Sequence, residues 1–383
     1  MRKSIAIVIV LAMSCLMLNS CFKDEAPNTE CDILDAWVGD EWASHFNQPT
    51  DMRISDVPSG ESTIVFTVRL LSTLPQMAVN FNLTPGATIV PANGSLQDFS
   101  KGPVSYTVTS EDGQWHRTYQ VEFREMVHPA ANYDFEHFAL NDKQKYYVWY
   151  EQLADGTHND IWATGNEGYN IAKPNAKVED YPSVADPNGM DGHCVKLTTC
   201  ATGSWGRTFK KPIAAGNLFL GKFNSKYALT NTLMCTEMGI PFTRQPLKVT
   251  GYYKYQPGDV FTDKDYKEVA DRMDEPSIYS VLYRNQDAEG NSVVLHGDDV
   301  LSSPLIVLKA QVKSLPATNE WTPFEMVYED LAPIDAELLA SRGYSLALVF
   351  SSSKTGDTFE GAVGSTLYID NVKISFLGEE GQP

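Results

Sequence analysis

Apolar and polar residues alternate along most of the chain with a period of two, which is typical of half-buried β-strands. The pattern is clearest near the C-terminus, where two such strands enclose a polar loop. Their apolar positions are Leu346, Leu348 and Phe350 in the first strand and Tyr368, Val372, Ile374 and Phe376 in the second. Gly356, Gly361 and Gly364 allow tight turns in the loop between them, and we expect this loop to carry function.

Asp370 interrupts the second of these strands. Strict alternation places its carboxylate on the same face as Tyr368 and Val372, where an unpaired charge would be costly. We therefore expect a partner for this carboxylate, and the backbone amides of a turn or bulge are one such partner.

Residues 32–126 contain several alternating strands separated by turn residues. One strand carries Val79, Phe81 and Leu83 and ends at the turn residues Pro85 and Gly86. Two further alternating strands, residues 104–108 and 119–123, flank a reversal at residues 111–113, which predicts a β-hairpin. The segment therefore predicts a small β-sandwich.

Residues 130–378 repeat this pattern on a larger scale. Strands are predicted at 195–197, 219–223, 247–255, 278–283, 292–295, 305–312 and 324–328. Helices are predicted only at 263–273 and at 335–341, the latter ended by Gly343. Helices and strands do not alternate, which argues against a parallel α/β fold and favours an all-β chain of two sandwiches.

The charge balance limits the partners. The 383 residues include 30 Lys and Arg against 49 Asp and Glu, a net charge of −19. Such a field disfavours binding to nucleic acid or to anionic lipid and leaves neutral or cationic ligands open.

The first residues are typical of an export signal. Basic Arg2 and Lys3 precede an apolar run over residues 5–18, and Leu18-Asn19-Ser20-Cys21 resembles a bacterial lipobox. We expect residues 1–21 to form a lipoprotein signal peptide, with Cys21 becoming the lipidated N-terminus and residues 22–31 a tether. A plain signal peptide with an incidental cysteine is the alternative.

The tether begins with Phe22-Lys23-Asp24-Glu25, which is similar to the signal that sends Bacteroidetes lipoproteins to the outer leaflet. This similarity implies an outer-membrane lipoprotein that faces outward at the cell surface. The other cysteines are Cys31, Cys194, Cys200 and Cys235, and no CxxC pair occurs. Their disulfide state stays open, although buried thiols are favoured over zinc ligands.

Catalytic motifs are scarce. A glycosidase needs two carboxylates across a cleft, and Asp357 with Glu360 in the C-terminal loop is the best pair available. Two acids close in sequence carry little weight in a chain that has 49 of them. We therefore assign no catalytic residues and keep this pair as the alternative.

Sugar binding needs aromatic faces together with amides, carboxylates and cations, and the chain supplies these better. The tyrosine-rich strand 251–255 must turn one face to the core, so that either Tyr253 alone or Tyr252 with Lys254 points outward. The candidate ligand-binding residues are Trp162, Asn166, Trp205, Tyr253, Lys254, Lys354 and Asp357.

The runs at residues 251–255, 351–357 and 364–372 resemble a carbohydrate metabolism domain family of Bacteroidetes surface lipoproteins, and the resemblance spans residues 132–376. It implies an Ig-like domain over residues 32–126 and a jelly-roll, carbohydrate-binding-like domain over residues 130–378. In similar carbohydrate-binding modules, a glutamate near the first strand and an aspartate near the last hold a structural calcium ion. That similarity implies Glu136 and Asp370 as its ligands.

The expected function is a surface-anchored lipoprotein that captures glycans for polysaccharide utilisation and requires no cofactor. Its expected partners are a glycan or oligosaccharide, the outer membrane through the lipid anchor, and other surface glycan-utilisation proteins, with no nucleic acid among them. A glycoside hydrolase that uses the loop carboxylates is one alternative. A structural adhesin or pilus-like component is the other.

Overall fold

The computed structural model of the chain describes residues 26–46, 49–69, 74–125, 131–153 and 156–378. The predicted signal peptide, Cys21 and the motif that follows it lie outside these residues. No helix in the described ranges is both long enough and apolar enough to cross a bilayer.

The N-terminal part is a sandwich of two four-stranded sheets. Its strands are β1 (Ile33–Val38), β2 (Arg53–Ile54), β3 (Thr63–Val68), β4 (Met77–Leu83), β5 (Thr88–Val90), β6 (Leu96–Gln97), β7 (Val104–Thr109) and β8 (His116–Glu125). The sheet orders are β2-β1-β4-β6 and β3-β8-β7-β5. The antiparallel pair β7 and β8 confirms the predicted hairpin. Alternate residues of both sheets meet in one apolar core, in which Phe66 and Phe123 stack at 5.1 Å between ring centroids.

The C-terminal part has many more strands. They are β9 (Asn132–Tyr133), β10 (Phe138–Leu140), β11 (Tyr147–Trp149), β12 (Glu151–Gln152), β13 (His158–Asn159), β14 (Trp162–Ala163), β15 (Ser183–Asp186), β16 (Cys194–Thr198), β17 (Cys200–Ala201), β18 (Ile213–Ala214), β19 (Asn217–Phe223), β20 (Thr236–Met238), β21 (Ile240–Phe242), β22 (Pro246–Gln256), β23 (Phe261–Thr262), β24 (Ser277–Arg284), β25 (Ile306–Gln311), β26 (Thr318–Val327), β27 (Glu329–Asp330), β28 (Tyr344–Ser351), β29 (Gly361–Ala362) and β30 (Thr366–Phe376).

Two large sheets organise these strands. The eight-stranded sheet has the order β14-β19-β28-β24-β25-β27, with β20 paired to β19 and β21 paired to β28. The six-stranded sheet has the order β15-β16-β30-β22-β26, with β9 paired to β30. Other short strands form the two-stranded pairs β10-β11, β12-β13, β17-β18 and β23-β29. The all-β prediction is confirmed, and the predicted strand at 292–295 is wrong because that segment makes only isolated bridges.

The main core lies between the two sheets, and β28 contributes Leu346, Leu348 and Phe350 to it. The intervening residues Ala347 and Val349 are also buried, in a second apolar cluster on the outer face of the eight-stranded sheet. The prediction of a half-buried strand is therefore wrong here, because loops cover the outer face as well.

A bulge divides β30 into two halves. The pairing of β30 with β22 shifts register between Thr250 and Tyr252, and Asn371 has a φ of 48°. Tyr368 therefore points away from the core, whereas Val372 faces into it. The expectation of strict alternation through Asp370 is wrong, because one extra residue reverses the face of every residue beyond it.

Helices are short. They are α1 (Asn166–Ala172), α2 (Gly203–Thr208) and α3 (Ala336–Ala340). The third agrees with the sequence, since the Asp335 side chain accepts hydrogen bonds from the backbone of Glu337 and Leu338. The left-handed residue that follows it is Arg342 rather than Gly343. The predicted helix at 263–273 is wrong, because this segment forms turns and a single bridge.

The buried guanidinium of Arg69 joins the two sandwiches. Only 4% of this residue is exposed, and Nε donates to the carbonyl of Phe46 at 2.7 Å in its own domain. Nη1 donates to the Asn285 side chain and to the Arg342 carbonyl, while Nη2 donates to Ser292 Oγ at 3.1 Å. Burial lowers the pKa of Arg69 to about 10, so the group remains charged at neutral pH.

Further polar pairs extend the same interface. Lys222 Nζ, on β19, donates to the buried carboxylate of Asp51. Thr50 Oγ1 donates to Glu237 Oε2 at 2.6 Å, and Glu125 accepts from Arg342 at 3.0 Å. Because these contacts are directional, they fix how the two sandwiches are oriented as well as holding them together.

Replacing this guanidinium tests the interface. We expect Arg69→Met to lower the free energy of unfolding by about 3 kcal/mol, because five carbonyl and side-chain oxygens lose a charged donor. Urea unfolding measures the change. Arg53→Met, at an exposed arginine of the same domain, is the matched control and should change the midpoint little. Equal midpoints for the two variants would contradict a joining role for Arg69.

Candidate functional site

A cleft of about 530 Å³ opens on the outer face of the eight-stranded sheet. Its floor consists of side chains from three neighbouring strands, Phe219 of β19, Val349 of β28 and Tyr279 of β24. Gln311, the last residue of β25, also lines it. The volume suits a small oligosaccharide or another ligand of similar size.

One wall of the cleft is formed by α2 and its aromatic residues. Trp205 is 38% exposed, and its ring packs against that of Phe209 at 4.6 Å between centroids. Gly203 begins the helix with a φ of 77°, a conformation that favours glycine. An exposed aromatic pair beside a cavity is available to stack on a ligand.

A second wall comes from the loop between β28 and β30. Lys354 and Asp357 both line the cleft and are exposed. Lys354 Nζ lies 3.6 Å from Glu275 Oε2, an exposed ion pair that a ligand can displace at little cost. Protein atoms around Asp357 desolvate its carboxylate, and together with the charge of Glu360 they raise its pKa.

The buried carboxylate of Asp274 holds this loop in place. Its Oδ2 accepts hydrogen bonds from Ser353 Oγ at 2.5 Å, from the Ala362 amide at 2.8 Å and from Ser365 Oγ at 2.7 Å. Its Oδ1 accepts from the Glu275 amide at 3.0 Å. Burial raises the pKa of Asp274, and the donors from the loop favour the charged form in return. The loop is thus fixed at both ends by one side chain.

The two carboxylates of the hydrolase alternative lie in different environments. Asp357 lines the cleft, whereas Glu360 forms an ion pair with Arg272 at 3.5 Å and is not among the lining residues. Among the described residues that line the cleft, Asp357 is the only carboxylate. Glycoside hydrolysis canonically uses two carboxylates across a cleft, and the described lining of this cleft supplies one.

Three predicted ligand residues are wrong because they lie in the core. Trp162 is 6% exposed, and its Nε1 donates to Glu151 Oε1 at 3.1 Å. Asn166 is fully buried in α1 and exchanges two hydrogen bonds with the backbone of Ser183. Tyr253 points into the sandwich. The glycine-bearing segment around the first two residues is a strand and a helix, not the open loop that its composition suggested.

Lys254 lies outside the cleft, on the outer face of the six-stranded sheet. Because Tyr253 and Tyr255 are buried, Tyr252 and Lys254 take the outward positions, which decides between the two faces left open by the sequence. The ammonium of Lys254 lies over the ring of Trp321. Of the seven predicted ligand residues, the structure thus brings Trp205, Lys354 and Asp357 together in one cleft.

Sequence reasoning missed several residues of the cleft. Phe209, which packs on Trp205 but does not itself line the cleft, follows it by four positions, a spacing that pairs side chains once the segment is known to be helical. Gln311 and Tyr279 lie on predicted strands, but only the sheet order shows that they face the same cavity as the C-terminal loop. No local sequence pattern indicated the role of Asp274 in holding the loop, since its partner Ser353 lies about 80 residues away along the chain.

The two predicted calcium ligands both accept hydrogen bonds from backbone amides of the loop that contains Met190 and His193. Asp370, fully buried, accepts from the Met190 amide at 2.6 Å and from the Asn371 amide at 2.7 Å. Glu136 Oε1 accepts from the His193 amide at 2.6 Å. Within the described ranges, no three histidine, cysteine, aspartate or glutamate side chains converge as metal ligands. Calcium takes about six to eight oxygens, part of which backbone carbonyls and water can supply, so ligation by Glu136 and Asp370 stays a prediction.

The four cysteines of the described ranges are free thiols. Burial raises the pKa of Cys194 and of Cys200 to about 12, and both thiols therefore stay protonated at neutral pH. They behave as small packing residues, without nucleophilic or ligating chemistry.

Two family models match the chain. The family model described as "putative carbohydrate metabolism domain" matches residues 134–375, and the model described as "SGBP, N-terminal" matches residues 45–122. None of the curated proteins compared with the chain matches it.

Two solved structures are similar over most of their length. A putative glycoside hydrolase from Bacteroides thetaiotaomicron is 36% identical, with a TM-score of 0.70, over 93% of this chain and 100% of that chain. A putative glycoside hydrolase from Bacteroides vulgatus is 33% identical, with a TM-score of 0.59, over 64% of this chain and 98% of that chain.

Removing the carboxylate that holds the loop should loosen the cleft wall. We expect Asp274→Ala to lower the free energy of unfolding by about 3 kcal/mol, because three buried donors of the loop lose their acceptor. Urea unfolding gives the change, and Asp142→Ala, at an exposed aspartate, is the control. An unchanged midpoint for Asp274→Ala would show that the loop is held by other contacts.

Chelation separates the two accounts of Asp370. We expect EDTA to leave the melting temperature unchanged, because backbone amides already satisfy this carboxylate, whereas Asp370→Ala should lower it through the loss of those bonds. Differential scanning calorimetry measures both effects. A melting temperature that rises with added calcium in the parent chain and not in the variant would instead establish a bound cation.

Proposed function

The chain belongs to the family of the putative carbohydrate metabolism domain, and from this premise we propose that it is a surface lipoprotein that binds a glycan in the cleft beside Trp205. One observation carries the proposal: Trp205 lines the same cavity as Lys354 and Asp357, two residues of one loop that lies far from it in the sequence. An aromatic ring and two opposite charges around one apolar floor match the surface of a sugar.

Each group suits a different part of a pyranose. The apolar face of the ring packs on the Trp205 indole, as sugars commonly pack on aromatic side chains. The Asp357 carboxylate accepts hydrogen bonds from ring hydroxyls, while the Lys354 ammonium and the Gln311 amide donate to hydroxyl oxygens. The floor, which includes Phe219 and Val349, keeps water away from these bonds and thereby strengthens them.

The arrangement of the carboxylates favours glycan binding over glycan hydrolysis. The two similar structures are named as putative glycoside hydrolases, and that name belongs to those proteins. In this chain Asp357 is the one carboxylate among the described residues of the cleft, and Arg272 pairs with Glu360. Both canonical hydrolytic mechanisms use two carboxylates, so a single carboxylate in the cleft favours binding.

The N-terminal part supports display outside the cell. Residues 45–122 match the N-terminal model of the SGBP family, which is named for surface glycan-binding proteins. With Cys21 lipidated, the tether and the N-terminal sandwich hold the cleft away from the outer membrane. Neighbouring glycan-utilisation proteins of the same surface are the natural partners for a captured glycan.

Glycan binding is tested by removing the ring. We expect Trp205→Ala to weaken binding of the best oligosaccharide from a glycan array by roughly two- to tenfold, because a stacked aromatic ring contributes about 0.5 to 1.5 kcal/mol. Isothermal titration calorimetry gives the affinity. Trp115→Ala, at a tryptophan that is 61% exposed in the other domain, is the matched control.

The outcomes distinguish the three functions. Loss of binding in Trp205→Ala alone, with an unchanged melting temperature, supports the cleft. Failure of the parent chain to bind any glycan favours an adhesin. Release of reducing sugar that disappears in both Asp357→Asn and Glu360→Gln would contradict the proposal and identify a hydrolase, because an amide cannot exchange a proton at neutral pH.

Surface display makes a separate prediction. Protease added to intact cells should degrade the protein, whereas alanine at Lys23, Asp24 and Glu25 should retain it in the periplasm, where it is protected. Immunoblotting before and after lysis measures the difference. Cys21→Ala should abolish palmitate labelling, since the thiol is the attachment point of the diacylglyceryl group. Protection of the parent chain until lysis would exclude an outward orientation.

A further inference from the structure

A row of cationic and aromatic side chains crosses the outer face of the six-stranded sheet, on the side of the sandwich away from the cleft. Lys196 of β16 and Lys254 of β22 both pair in register with Tyr368 of β30, which lies between them. Trp321 of β26 extends the row on the next strand. We call these four residues the lysine-aromatic row.

Both ammonium groups lie close to the ring of Tyr368 between them, and that of Lys254 also lies close to Trp321. Lys254 Nζ is 4.3 Å from the ring centroid of Trp321 and 4.9 Å from that of Tyr368, while Lys196 Nζ is 5.9 Å from Tyr368. Adjacent strands are about 4.8 Å apart, so the backbones of the two lysines are separated by roughly 10 Å. Two charges on either side of one ring can reach a single anionic group of a ligand.

Neither lysine has an acidic partner. In the described part of the chain, no carboxylate lies within ion-pair distance of either ammonium, although acids outnumber bases by 49 to 30 in the sequence. Lys248, on the same strand β22, shows the usual arrangement, with Glu325 at 2.8 Å. Asp186 is an acid whose charge acts on the row, since burial and then the charge of Asp186 raise the pKa of Tyr368.

We infer that the lysine-aromatic row is a second glycan-binding surface, which binds the anionic group of an acidic polysaccharide. A uronic acid carboxylate or a sulfate ester supplies the missing partner for the two ammonium groups. The exposed parts of Trp321 and Tyr368 offer apolar surface to the sugar ring that carries this group.

An acidic glycan fits this surface better than an anionic membrane. With a net charge of −19, the whole chain is repelled by an extended anionic bilayer, and two lysines cannot offset that field. An acidic polysaccharide can place one charged sugar against the row, while the rest of the protein stays in solvent. The row thus allows a strongly acidic protein to bind one class of anion.

The test uses ligands that differ in charge alone. Calorimetry at low ionic strength compares oligogalacturonate with its methyl ester, which keeps the sugar ring and removes the carboxylate charge. A sulfated galactan oligosaccharide and phosphatidylglycerol vesicles are measured in parallel. We expect the parent chain to bind the free acid or the sulfate at least about tenfold more tightly than the ester, with affinity falling as salt is added.

Substitutions then locate the site. Lys254→Met and Lys196→Met keep most of the side-chain length and should each weaken binding of the anionic oligosaccharide about tenfold. Lys248→Met, on the same strand, should leave it unchanged. The lysine substitutions should also leave binding of the neutral oligosaccharide in the cleft unchanged, so failure of one site is distinguishable from failure of the other.

Three results would overturn the inference. They are equal affinity for the acid and its ester, wild-type affinity in both lysine variants with normal melting temperatures, and binding to the anionic vesicles alone. A preference for the carboxylate over the sulfate, or the reverse, identifies which anion the row accepts.

Discussion

The buried carboxylate of Asp274 is the constraint on which the functional surface depends. The last two long strands belong to different sheets, β28 to the eight-stranded and β30 to the six-stranded one, so the chain between them must cross the end of the sandwich. The Asp274 carboxylate accepts hydrogen bonds from both ends of that crossing, from Ser353 at one end and from Ala362 and Ser365 at the other. Hydrogen bonds to a buried charge tolerate little displacement, so the cleft wall between these points is preorganised rather than a flexible loop.

The two outer faces of the C-terminal sandwich have different chemistry for a structural reason. Helices and loops cover the eight-stranded sheet, bury a second apolar cluster and leave a deep cleft. On the six-stranded sheet, the described residues of the lysine-aromatic row remain partly exposed. The bulge at Asn371 matters there, since it points Tyr368 outward while Val372 stays in the core. The same sandwich thereby has a cavity for a neutral sugar on one face and a surface for a charged sugar on the other.

Much of the fold could be predicted from the sequence, because period-two patterns and turn residues report local burial. The hairpin of β7 and β8 and the long strand β22 were accessible in this way. The site was accessible only in part. Glycine and polar neighbours predicted an open loop around Trp162, but its ring packs on Tyr133 in the core at 5.0 Å. Burial of this kind depends on contacts between distant segments, which a local pattern does not contain.

Hydrogen exchange of the free and glycan-bound chain tests the central claim most directly. If a neutral oligosaccharide binds in the cleft, amides of residues 203–209 and 353–359 should become protected together, although about 150 residues separate them in sequence, and amides around Lys254 should not change. Protection confined to one of these segments, or located on the six-stranded sheet, would contradict a glycan site in the cleft.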